Sequence, residues 1–131
     1  MLKKLPLLIV LILVFNSCKN DVNTKPAFVK LEYKTTEDDF LNSISIGDSS
    51  EVFMKAKTNK FFNNVTLVNT LALRIYFDEN ENLSETLLDS EFQNLKSKVQ
   101  SDLLNYDAYD LFLLEFYKGE TEFAKKEDAF K

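Results

Sequence analysis

Along the chain, hydrophobic and polar positions alternate in a few well-marked segments. Leu71, Leu73, Ile75 and Phe77 interleave with Thr70, Ala72, Arg74 and Tyr76, which predicts a strand with one apolar and one mixed face. Leu88, Phe92, Leu95, Val99 and Leu103 then recur at helical spacing, with Glu91, Lys96, Lys98 and Asp102 between them. That is the stripe of an amphipathic helix, with Asn82 and Glu85 as its expected N-terminal cap and Asn105 at its close. From Tyr109 to Lys118 both alternations are apolar, Phe112, Leu114 and Phe116 on one and Leu111, Leu113 and Tyr117 on the other. This is the pattern of a central strand or one covered on both sides.

Strand, long helix, strand predicts a β-α-β unit with two parallel strands joined right-handedly. Upstream, Val52 to Phe62 reads as another strand, with Asn63-Asn64 as its tight turn. Thr36 to Ile46 reads as a short helix capped by Thr36 and stopped by Gly47. The charged segment Glu120 to Lys131 has no strong period and is expected to fray. The expected fold class is therefore α+β: a small sheet of three to four strands with one long amphipathic helix packed on one face. The domain is expected to span residues 36–131.

The first residues follow another logic. Met1-Leu2-Lys3-Lys4 is cationic, and the eleven residues from Leu5 to Phe15 carry no charge. This is the layout of a secretory signal peptide. A membrane-spanning helix needs about 20 apolar residues, so a permanent anchor is the weaker reading. The run ends in Ser17-Cys18, and Cys18 is the only cysteine in the chain.

A lone cysteine after an apolar run and a small residue resembles the lipobox of bacterial lipoproteins. Here Phe15 and Asn16 precede the small Ser17, and Lys19-Asn20-Asp21 follows the cysteine. This form is similar to that of Bacteroidota lipoproteins. The resemblance implies that residues 1–17 are removed, that Cys18 is diacylated, and that residues 18–35, which include Pro26, form a tether ending in a short strand within Phe28 to Tyr33. It also implies an exported protein held at a periplasmic face or at the cell surface, its partner being the lipid bilayer. The plainer alternative is an incidental thiol beyond an ordinary signal-peptidase site. The order of strand (Asn69 to Phe77), helix and strand (Tyr109 to Phe116) also resembles a group of small uncharacterised lipoproteins of that phylum, from which no activity transfers.

Composition narrows the chemistry. The chain of 131 residues has 16 Lys and Arg against 21 Asp and Glu, a formal charge of −5. Loss of Lys3 and Lys4 with the leader takes it to −7. So acidic a body argues against nucleic acid as a partner and against electrostatic adsorption to membranes. With no His and one Cys, a Ser-His or Cys-His nucleophile, a cysteine-based zinc site, an iron–sulfur cluster and an internal disulfide are all excluded. No cofactor is expected.

Four features are left as candidate sites. Asp78, Asn80, Asn82 and Asp89 have calcium-loop spacing, but Leu83 stands where that loop needs Gly and Asp89 where it needs a bidentate Glu. A solvated turn is the better reading, and no metal is expected. Asp38, Asp39, Asp102, Asp107 and Asp110 supply carboxylates, yet no spacing pairs any two as a hydrolase requires. Arg74 stands alone on its strand's mixed face and is expected to pair with an acid on a neighbouring strand. Leu111, Leu113 and Tyr117 need cover from the chain, a second copy or a protein partner. The expectation is a membrane-anchored binding or structural module without catalysis. The alternatives are a small carboxylate-dependent hydrolase and an immunity or inhibitor protein.

Overall fold

In a computed structural model the described part of the chain is residues 30–130. The expected leader, Cys18 and the first part of the tether lie outside the described residues. The fold is α+β, as expected: a four-stranded mixed sheet with a helix of 18 residues packed against it. In chain order the elements are α1 (Glu37–Asn42), β1 (Ser49–Phe61), β2 (Asn64–Phe77), α2 (Glu85–Asp102), a 3-10 turn (Tyr106–Ala108), β3 (Leu111–Lys118) and β4 (Thr121–Ala129).

Spatial order follows sequence order, β1-β2-β3-β4. β1 and β2 form an antiparallel hairpin, as do β3 and β4. The two hairpins meet through the parallel pair β2–β3, which the crossover through α2 makes possible.

The apolar alternations face α2. Leu71, Leu73 and Ile75 of β2, Phe112, Leu114 and Phe116 of β3, and Leu88, Phe92, Leu95 and Val99 of α2 form one buried cluster with Phe40 of α1. Phe92 and Phe112 stack at 5.4 Å, and Phe77 meets Phe116 edge-on at 5.0 Å. Each side chain of this kind contributes about 1.5–3 kcal/mol on full burial.

Local chemistry sets the element ends, in places differently from expectation. α1 begins where predicted, with the Asp39 N–H donating to Thr36 Oγ1 at 3.1 Å, but it stops at Asn42 rather than Ile46. Gly47 acts later, turning the chain into β1 at φ 75°. A Cβ there would press into Ile75 and come within 2.8 Å of the Tyr76 carbonyl oxygen. Ser84, not Asn82, takes the N-cap position of α2, without a side-chain capping bond, and the helix ends at Asp102, before Asn105.

Asn105 instead grips the incoming chain. Its Oδ1 accepts from the Glu32 N–H at 3.0 Å and its Nδ2 donates to the Lys30 carbonyl at 2.8 Å. With the Tyr33–Leu103 bridge and the Lys34 N–H donating to Asp102 O, this lays residues 30–34 along the end of α2.

The segment expected to fray is β4. It pairs with β3 from Leu111–Ala129 to Lys118–Thr121, and Phe130 beyond it is buried against Phe112 and Tyr106. An edge strand is held mainly by backbone hydrogen bonds and tolerates charged side chains, so its apolar periodicity is weak.

Candidate functional site

The helices cover one face of the sheet. The opposite face carries no helix among the described residues, and its rows follow from the strand register. One row runs Glu51, Arg74, Glu115, Lys125 across the four strands. Charges of alternating sign placed directly opposite one another favour this pairing.

At its centre Glu115 is 2% exposed, the one buried charged residue among those described. Its two oxygens are both occupied: Arg74 Nε donates to Oε2 at 2.8 Å and Lys55 Nζ to Oε1 at 2.9 Å. Arg74 also reaches Glu51 Oε1 at 3.3 Å, and the Tyr76 hydroxyl donates to the same oxygen at 2.8 Å. The guanidinium lies between two rings, 4.2 Å from the centre of Tyr117 and 4.7 Å from that of Phe53.

Burial alone would raise the Glu115 carboxyl. The hydrogen bonds and charges of Lys55 and Arg74 outweigh it and hold the group below the usual carboxylate range. Burial works against the Arg74 charge too, yet hydrogen bonds with Tyr76 and Glu115 push its pKa further up. Both Glu115 oxygens are already taken by cationic donors, which leaves neither oxygen open to exchange a proton with a ligand. What the cluster provides is a hydrogen-bonded platform of arginine and aromatic side chains.

The expected pairing of Arg74 with a neighbouring strand's acid is present. Its partner Glu115 was not singled out from the sequence, nor were Lys55 and Phe53. The signal was available in Leu111-Phe-Leu-Leu-Glu-Phe-Tyr117: a single carboxylate inside an apolar strand must be paired or left at high cost. On the same face Leu113 is buried although no helix lies over it, and Tyr117 is covered in part by Arg74 and by Tyr76 at 5.7 Å.

The remaining candidates are scattered. The Asp78 turn is exposed, and Asp78 Oδ1 accepts from the Asn80 N–H at 2.8 Å. Asp89 lies on α2 and pairs with Lys126 at 3.0 Å. Among the described residues no group of three or more Asp, Glu, His or Cys is placed to hold a metal ion.

Asp38 borders an open groove of about 400 Å³ with Asp48, and Asp39 is exposed in the first turn of α1. Asp107 is exposed, and Asp102 pairs with Lys98 at 2.9 Å. Asp110 Oδ2 accepts from the Asn69 N–H at 2.9 Å, where β2 parts from β3. Cys18 lies outside the described residues. Among those described, no helix is long and apolar enough to cross a membrane.

No protein-family model, no curated protein and no solved structure matches the chain.

Proposed function

We propose that this chain is an exported lipoprotein held to a bilayer by diacylated Cys18, and that its folded domain is a non-catalytic binding module. The anchor reading is supported by the sequence alone: a cationic start, an eleven-residue apolar run, and the single cysteine directly after Ser17. Two acyl chains are what stable peripheral anchoring requires.

The observation that carries the binding role is the ordered platform on the open sheet face. Glu51 and Glu115 hold Arg74 by hydrogen bonds, Glu51 also holds Tyr76, and the Arg74 guanidinium lies between the Phe53 and Tyr117 rings. Arginine and aromatic side chains are the types enriched in protein interfaces, and side chains already immobilised lose less entropy on docking. A hydrolase would need two acids converging on a cleft, and the one buried acid among the described residues is already paired with two cations.

Two experiments test the two halves. Labelled palmitate is expected to enter the wild-type chain in its native host and to be lost in Cys18→Ala; an unlabelled wild type would refute the anchor. Crosslinking on intact cells is expected to join a partner protein to the wild type and to lose it in Arg74→Ala combined with Tyr117→Ala. Equal crosslinking of both proteins would remove the open face from the reading.

A further inference from the structure

The β1–β2 hairpin is longer than the sheet it belongs to. β3 begins at Leu111 opposite Thr70, so the six pairs from Ala56–Asn69 to Phe61–Asn64 have no third strand beside them. At about 3.4 Å per residue they carry the hairpin, as a ribbon, roughly 20 Å past the start of β3, with its base still packed where Asn69 is buried against Asp110 and its outer part exposed.

Its composition differs from that of the rest of the chain. None of the 21 acidic residues falls between Val52 and Phe77, whereas Lys55, Lys57, Lys60 and Arg74 do. Lys55 and Arg74 are committed to Glu115; Lys57 and Lys60 are exposed on the ribbon. At the apex Phe61 is 72% and Phe62 91% exposed, their rings edge-on at 4.7 Å, and Val65 beside them is 51% exposed.

We infer that this tip is a membrane wedge: Phe61 and Phe62 enter the interfacial region of an anionic bilayer while Lys57 and Lys60 meet its headgroups. Four observations select a lipid surface as the occupant. The layout is that of interfacial segments, with rings at the leading end and flexible ammonium groups behind them at headgroup depth. The apex is also too small for an ordinary protein interface, which covers about 800 Å² on each partner. The nearby carboxylates, Asp110 and Glu127, stand at the ribbon's root. Lys60 is five residues further out than Lys55, or about 17 Å, and so lies beyond their reach through a screening length of about 8 Å.

The fourth observation rests on the anchor reading above. The chain enters the domain at Lys30, held by Asn105 close before β3 begins, which is the end of the sheet from which the ribbon projects. Lys30 lies twelve residues on from Cys18, a span of at most about 40 Å when fully extended. An acylated Cys18 therefore keeps this end of the domain near the bilayer, and the wedge adds a second contact that fixes its orientation.

The chain has no Trp, so Phe62→Trp places a single reporter at the tip and Glu120→Trp places one at the opposite turn. Both are made in a Cys18→Ala chain and mixed with phosphatidylcholine vesicles, with or without phosphatidylglycerol, some carrying brominated acyl chains. The Phe62→Trp emission is expected to shift to the blue and to be quenched by bromine on the phosphatidylglycerol vesicles, while the Glu120→Trp emission stays unchanged. Lys60→Ala should weaken the response about fivefold, the equivalent of the roughly 1 kcal/mol contributed by a lysine at an anionic surface. Lys57→Ala should weaken it by less, because Lys57 shares a groove with Asp110 and Glu127. An unquenched Phe62→Trp variant, or equal quenching at both positions, overturns the proposal. So does a blue shift that grows with protein concentration in the absence of vesicles, which would mark contact between copies. Palmitate labelling of Cys18 is scored separately, so failure of the anchor and failure of the wedge give different results.

Discussion

The sheet is made of two hairpins that solve the same backbone problem for different ends. In the β3–β4 hairpin, strand length matches the core: β3 is buried from Phe112 to Phe116 and β4 stops one residue before the buried Phe130. Its turn uses Gly119 at φ 58°. In the β1–β2 hairpin, strand length exceeds the core by six residue pairs, and the turn uses Phe62 at φ 52°. Packing explains every large side chain of the first hairpin, whereas it leaves Phe61, Phe62 and Val65 of the second unaccounted for. Residues that a fold does not use for its own stability are where function is best sought.

The largest expected effect tests that contrast with one substitution type in both hairpins. Phe116 is fully buried against Phe77, and Phe116→Ala should cost about 3–5 kcal/mol through lost burial and the cavity left behind. Phe61→Ala, at the exposed tip, should change stability by less than about 0.5 kcal/mol. Chemical denaturation midpoints of the two variants check this directly. A large loss for Phe61→Ala would show that the ribbon is packed, and the contrast would collapse.

A smaller effect is expected at the seam between the hairpins, where Arg74 of β2 meets Glu115 of β3. Arg74→Leu leaves a buried carboxylate with Lys55 alone and should cost about 2 kcal/mol. The pH dependence has a definite sign. Because the Glu115 pKa is depressed in the folded state, its contribution is present above the ordinary value of 4.5 and is lost as pH falls through the folded value. The stability difference between wild type and Glu115→Gln should therefore be flat at neutral pH and shrink on acidification below 4.5. A difference that holds constant to low pH would mean that the pair does not depress the carboxyl.

Much of this architecture was legible in the sequence because burial imposes periodicity. The α2 stripe and the alternations of β2 and β3 are core positions, and a core leaves little freedom of residue type. Features governed by the backbone were less visible: β4 shows only Phe123, Ala124 and Ala129 as apolar positions, since an edge strand is recruited by hydrogen bonds along β3. The seam was half legible, since Arg74 stood out while its partner in a Leu-rich strand did not.

The turn was misplaced for a reason that the register exposes. Asn63-Asn64 has the better turn chemistry, yet the observed register faces Glu51 with Arg74 and so puts Phe62-Asn63 in the bend. A slip of two residues would place the asparagines there, with every side chain on its present face. It would also set Phe53 opposite Arg74 and move Glu51 away from it.

The smallest predictions concern the two turns and carry opposite signs. A bulky residue at positive φ costs about 1–2 kcal/mol that Gly would avoid. Gly119→Ala should therefore destabilise by about 1 kcal/mol, since the new Cβ would lie 2.6 Å from Glu79 Cγ, the flexible arm of an exposed side chain that can move aside. Phe62→Gly should stabilise by up to about 1 kcal/mol, because the ring it removes is 91% exposed and its main neighbour is the equally superficial Phe61. If Phe62→Gly instead lowers the melting temperature, the ring is held by packing and its exposure signifies nothing. If it raises the melting temperature and abolishes vesicle binding, stability and function oppose one another at this residue, and a strained aromatic apex persists because the membrane contact requires it.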